Sequence, residues 1–129
     1  ICTQLFFDNH AFHDWKDRCR LTGIEIPIIA GIMPISTRKS VRRMAQLAAG
    51  TVFPASLQRS LARAAAGDDE SITEIGIHWA TEQCRDLLDH QVDGIHFYTL
   101  NKSDATLRIH RNLGVRSARG LQRDGGNSD

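Results

Sequence analysis

The amino-acid sequence predicts an α/β fold built on a parallel sheet, and three observations carry that prediction. Short β-prone runs, Ile1 to Phe7, Ile26 to Ile35 and Val92 to Lys102, alternate with longer stretches of helical periodicity in the order βα, βααα, βα. The last run is apolar on both alternating faces, with Ile95, Phe97 and Thr99 on one and His96, Tyr98 and Leu100 on the other. That suits a strand covered on both sides better than one half exposed. In such sheets the crossovers are right-handed and ligands sit outside the carboxyl ends of the strands. Asn101 and Lys102, which close the last run, are therefore the first place to look for function.

Composition bounds the alternatives. A chain of 129 residues with 41% hydrophobic content can bury one ordinary core. Sixteen Lys and Arg against fifteen Asp and Glu leave a formal net charge of +1, so no broad field draws nucleic acid or an anionic membrane, while local anion contacts stay open. No apolar run approaches the roughly 18 residues of a membrane span, and no signal-peptide pattern opens the sequence. Cys2, Cys19 and Cys84 are widely spaced and form no CxxC pair, which indicates neither a disulfide framework nor a zinc site and fits a reducing, cytosolic compartment. Because Ile1 already looks like the body of a strand, the chain is expected to be a fragment of a longer protein.

Element by element, Asp8 and Asn9 can cap a first helix whose inner stripe is Phe12, Trp15 and Cys19, stopped by Gly23. In the second run Pro27 lies near the start, where a missing donor is tolerated, and Gly31 allows close backbone approach. Ser36 and Thr37 can cap the next helix, with Val41, Met44, Ala45 and Ala48 inside, Arg38, Lys39, Arg42 and Arg43 outside, and Gly50 at its end. Pro54 opens a short helix bearing Leu57, Leu61, Ala64 and Ala65, broken at Gly67-Asp68-Asp69. Ser71-Ile-Thr-Glu74 has capping-box spacing, and Ile72, Ile75, Trp79, Leu87 and Leu88 mark a long helix towards His90. After the third run, Ser103 can cap a last helix carrying Leu107 and Leu113, stopped by Gly114. The folded segment is expected over residues 1–115, with a disordered tail over 116–129, where apolar periodicity is lost.

Three strands cannot close a TIM (β/α)8 barrel, which typically takes about 250 residues. The units are either a small open sheet or the last three βα units of a barrel, and a start within a strand favours the second.

Three motifs together resemble the methylenetetrahydrofolate reductase family: Thr3-Gln-Leu-Phe-Phe-Asp8, Gly31-Ile-Met-Pro-Ile35 and His96-Phe-Tyr-Thr-Leu-Asn101, with Asp17-Arg-Cys19 between the first two. The similarity runs from about Ile1 to Val115. It implies the sixth, seventh and eighth strands of a TIM-type barrel, incomplete in this chain. The implied reaction passes hydride from NADH or NADPH to FAD, then from the flavin to methylenetetrahydrofolate, giving methyltetrahydrofolate. The family's acid and most of its FAD shell belong to the missing N-terminal part of the barrel, so the chain alone is expected to hold no catalytic residue and to be inactive. Resemblance also implies a cytoplasmic enzyme of one-carbon metabolism and methionine biosynthesis, with the oligomeric state of the parent, a homo-oligomer among the options, left open.

Site residues carry over as ligand contacts. Gln4 matches the glutamine that ends the sixth strand, whose amide both donates and accepts towards folate ring or nicotinamide. Lys102 falls where relatives often carry Arg, and resemblance implies contact with the anionic part of the folate, without the bidentate fork. Ser40 stands where some relatives carry a longer polar residue towards the folate. Met44 replaces an aromatic ring, and its place in an apolar stripe equally suits core packing. Ala30 replaces a proline.

Other residues read more plainly. His96 is expected as a hydrogen-bonded core or barrel-lining side chain. His10 and His13 are i, i+3 but lack a third ligand, so they are expected exposed with no metal site. The run Arg38, Lys39, Arg42 and Arg43 reads as a solvated face, and Trp15 and Trp79 as packing anchors. Two competing functions are a Schiff-base aldolase-like barrel using Lys102 and a non-catalytic α/β interaction module.

Overall fold

The computed structural model describes residues 1–114 and has eight elements: β1 (Cys2–Leu5), α1 (Asn9–Leu21), β2 (Ile29–Ile32), α2 (Arg38–Leu47), α3 (Ala55–Arg63), α4 (Asp69–Asp89), β3 (Gly94–Phe97) and α5 (Asp104–Asn112). The tail expected over 116–129 lies outside the described residues. The strands pair in parallel in the order β1-β2-β3, the arrangement that the alternation of strand and helix patterns predicts.

β2 and β3 are in simple register, Ala30 opposite Ile95 and Gly31 opposite His96. β1 is not: Cys2 faces Ile29 and Leu5 faces Gly31, so one strand carries an extra residue. Thr3 repairs the irregularity. Its hydroxyl accepts from the Gly31 amide at 2.9 Å and donates to the Gln4 carbonyl at 2.8 Å. Across the sheet, the Tyr98 hydroxyl donates to the Thr3 carbonyl at 2.8 Å.

One core lies where Ile28, Ala30 and Ile32 meet Phe12 and Cys19 of α1, Ile77, Ala80, Cys84 and Leu87 of α4, and Ile109 of α5. Burial pushes the Cys84 thiol up to about 12, so it behaves as an apolar side chain. A second core gathers Phe7, Met33, Ile35, Met44, Leu57, Leu61 and Ile72 at the carboxyl end of the sheet. Met44 is thus a packing residue, 1% exposed. Trp15 packs against the first core and Trp79 against the second, where its indole N–H donates to the Phe7 carbonyl.

Several expectations are corrected. The strands are shorter than their apolar runs, and β3 ends at Phe97, because Leu100 and Asn101 take positive φ (47° and 63°) and turn the chain away. Leu100 is consequently exposed, and so is His96, which makes no hydrogen bond among the described residues and meets Tyr98 edge-on. The Ile95 and Phe97 side is thus covered by the first core, while on the other side His96 is open and Tyr98 packs against the second. Ala45 is exposed. Lys16, which lies between the stripe residues of α1, is buried, as its long aliphatic stem allows.

The Ser71-to-Glu74 capping box does not form. α4 begins earlier, its cap being Asp68, whose carboxylate accepts from the Ser71 amide, and Glu74 is spent on a two-bond pair with Arg108. Ser103 stands at the cap of α5 with its backbone already helical and its side chain unused there. Ile109, not Leu107, is the buried anchor of that helix. His13 is half-buried, not exposed, its Nε2 2.8 Å from Asp86.

α4 crosses the segment after β2 at Gly76, where an added Cβ would lie 2.0 Å from the Ile35 carbonyl oxygen. Alanine elsewhere in a helix gains about 1 kcal/mol over glycine. Here the clash is with backbone and cannot be relieved by a rotamer. Gly76→Ala should therefore destabilise the protein by about 1–3 kcal/mol, read as a lower chemical-denaturation midpoint. A raised midpoint would show that α4 does not approach Ile35 this closely.

Candidate functional site

Beyond the carboxyl ends of β2 and β3 lies a cavity of about 380 Å³. Met33 and Pro34 line it from the β2 side, and Tyr98, Thr99, Leu100 and Lys102 from the β3 side. Ser36, Thr37, Lys39, Ser40 and Arg43 bring the start of α2 to it. This is the place the parallel topology predicts.

The start of α2 is tightly organised. The Thr37 hydroxyl accepts from the Ser40 amide at 3.0 Å, and Ser40 Oγ accepts from the Thr37 amide at 3.1 Å, a reciprocal capping box. Ser40 Oγ also donates to the Thr37 carbonyl at 2.6 Å and accepts from the Ser36 amide at 3.4 Å. Its one donor and both lone pairs are engaged in local structure.

Opposite, the Lys102 amide donates to the Thr99 carbonyl at 2.8 Å, closing a turn whose two central residues have positive φ. Asn101 tolerates that conformation; Leu100 is strained by it, yet presents its exposed side chain to the cavity.

The cavity's charge comes from Lys39, Arg43 and Lys102, all exposed, and among the described residues that line it none is acidic. None of the three cations is in an ion pair among the described residues. Such a lining favours an anionic group. The structure thus brings Ser40 and Lys102 together and sets Gln4 apart. Gln4 is exposed on β1 beside a separate depression of about 400 Å³, lined also by Phe12, Trp15 and the segment from Ala49 to Val52.

Sequence reasoning missed Lys39 and Arg43 by reading the basic run as one solvated face. Their i, i+4 spacing directly after the Ser36-Thr37 cap was the available signal. Arg38, by contrast, donates to the Ala64 carbonyl and serves α3. Lys102 is exposed and sits in a turn, an environment lacking the desolvation that activates a Schiff-base lysine.

Parallel strands each followed by helix, with a cation-lined cavity beyond the strand ends, place the chain among the parallel βα-repeat folds. Within that class the chain belongs to the methylenetetrahydrofolate reductase family, whose model matches residues 1–114. It is 42% identical over 115 residues to Methylenetetrahydrofolate reductase (NADH) 1 of Arabidopsis thaliana, a match covering 89% of this chain and 19% of that protein. Methylenetetrahydrofolate reductase 1 of Schizosaccharomyces pombe is 37% identical over the same shares. The 5,10-methylenetetrahydrofolate reductase of Pectobacterium carotovorum is 32% identical over 88% of this chain and 38% of its own length. The chain spans well under two thirds of each of these relatives.

The cavity beyond the strands joins its three cations and several hydroxyls to Met33, Pro34, Tyr98 and Leu100, a mixed lining that suits an anionic tail better than a flat flavin ring.

Ser40→Ala is expected to lower stability by about 1 kcal/mol with no ligand present, through loss of the cap. Thermal unfolding of the ligand-free protein measures this. An unchanged midpoint would mean that the serine's hydrogen bonds do not support α2.

Proposed function

We propose that this chain supplies the last three βα units of a TIM-type barrel, and that the whole protein reduces 5,10-methylenetetrahydrofolate to 5-methyltetrahydrofolate. On this reading the electron donor is NADH or NADPH, and FAD carries the hydride between donor and folate. Residues outside this chain hold the flavin and supply the acid. The enzyme works in the cytoplasm.

The observation that carries the substrate side is the convergence of Lys39, Arg43 and Lys102 on one cavity beyond the strand ends. Folate carries carboxylates at the end remote from its reacting ring, and three cations with no acidic neighbour among the described residues suit them. Lys102 and Arg43 then bind the anionic end of the substrate while the ring lies towards β1, where Gln4 can donate and accept. Ser40 acts on this site by holding α2 in place more than by touching substrate. Family membership supports the barrel, as does a parallel three-strand sheet whose first and last strands each have an unpaired edge among the described residues.

In the protein at its natural length, Arg43→Ala and Lys102→Ala should each raise KM for methylenetetrahydrofolate about tenfold, equivalent to about 1.4 kcal/mol, and change kcat less. Gln4→Ala should slow the folate half-reaction while flavin content and reduction by nicotinamide hold. Stopped-flow measurement of the two half-reactions separates these effects. If KM stays within twofold in both cation variants, the cavity is not the substrate's anion site.

A further inference from the structure

On the side of the molecule where α1 meets the end of α4, three ligating side chains converge away from the cavity just described. His13 Nε2 lies 2.8 Å from Asp86 Oδ2, and His90 Nδ1 lies 3.3 Å from Asp86 Oδ1. The two imidazole rings are 4.4 Å apart between centroids. One ligating atom from each of the three residues lies within 4.8 Å of the other two. We propose that His13, Asp86 and His90 bind a divalent transition-metal ion of the zinc class, clasping α1 to the last turn of α4.

The donor set argues for that class of ion. Two imidazoles and one carboxylate suit zinc and its neighbours, whereas calcium and magnesium take oxygen ligands. Distances also fit. Bonds of about 2.1 Å to a tetrahedral ion place ligand atoms about 3.4 Å apart. The two histidines meet different oxygens of Asp86, and His90 Nδ1 also lies 2.8 Å from the Asp86 carbonyl oxygen, so an ion between the rings takes one carboxylate oxygen and displaces that backbone bond. Asp86 and His90 are i, i+4 on one helical face, the spacing by which a single helix offers two ligands.

The carboxylate is also held from behind. Asn9 Nδ2 donates to Asp86 Oδ2 at 2.6 Å, and the Asn9 amide is oriented by Gln83 Nε2, which donates to Asn9 Oδ1 at 3.1 Å and to the Phe6 carbonyl at 3.2 Å. Gln83 is only 5% exposed. A buried amide relay that fixes one ligand is the kind of outer support metal sites use. The ligands border a depression of about 390 Å³ that also takes in His10 and Ser56, which leaves a fourth coordination position for water. No local motif marks the cluster, because Asp86 lies 73 positions from His13.

Calorimetric titration of the metal-stripped protein, at its natural length, with Zn²⁺ tests the assignment. We expect one bound equivalent that is absent from His90→Ala and from His13→Ala. Asn9→Ala should keep that equivalent with an affinity about tenfold to a hundredfold weaker. His90 is exposed, so its removal does not threaten the fold, and Zn²⁺ bound elsewhere cancels in the difference between wild type and variant. If wild type and His90→Ala bind Zn²⁺ identically, or if neither binds, the cluster is a hydrogen-bonded helix clasp and not a metal site.

Discussion

The whole sheet depends on the absence of a side chain at Gly31. A Cβ there would lie 2.6 Å from the Thr3 carbonyl oxygen, 2.8 Å from Tyr98 Cε2 and 2.9 Å from the Gln4 carbonyl oxygen. The central strand is therefore the floor over which Tyr98 reaches from β3 to bond Thr3 on β1. That single side chain ties the two outer strands, which share no ladder of their own. Because β1 is out of simple register with β2, the Thr3 hydroxyl must satisfy the Gly31 amide that the ladder would otherwise leave unpaired. Three residues thus close an account that backbone pairing alone leaves open, and Tyr98, placed by them, becomes a wall of the cation-lined cavity.

A second close approach fixes the opposite wall. Gly76 lets α4 rest on the Ile35 carbonyl, and Thr73 of the same helix donates to the Ser36 carbonyl at 2.8 Å. The segment from Pro34 to Thr37 is therefore held from below before α2 begins. With Met44 buried beneath it, α2 can present Lys39 and Arg43 to the cavity in only one rotational setting. The position of the cations follows from packing, which is why substitutions far from charge are able to move them.

The alternation of elements, the caps at Asp8 and Thr37, the stop at Gly23 and the need for a small residue at Gly31 were legible in the sequence, since each depends on a few neighbouring residues. Strand ends were not. The run from Gly94 to Lys102 stays β-prone throughout, and only the positive φ of Leu100 and Asn101, a property of the folded turn, ends it. The start of α4 was missed because two capping signals overlap and Asp68 won over Ser71. Of the residues that line the cavity, Lys102 was marked by its place after the last strand and Ser40 by family resemblance, while Lys39 and Arg43 were hidden in a charge run whose members serve different neighbours. His13 looked solitary because its partner is remote in sequence.

Charge at the cavity and chemistry elsewhere are consistent with one division of labour. On the proposed function, the exposed cations hold an anionic tail on a rim that stays in contact with water. Hydride transfer, in contrast, requires water to be kept from the reacting atoms. In this chain His96 stands exposed on the sheet face that Tyr98 crosses, so that face is not dry by itself. On the proposed function, further strands curling over that face would enclose the reacting ring, while the rim built from α2 and the turn at Leu100 stays wet. The strained, exposed Leu100 then stands at the boundary between the two regions, an apolar side chain where the dry interior would meet the wet rim.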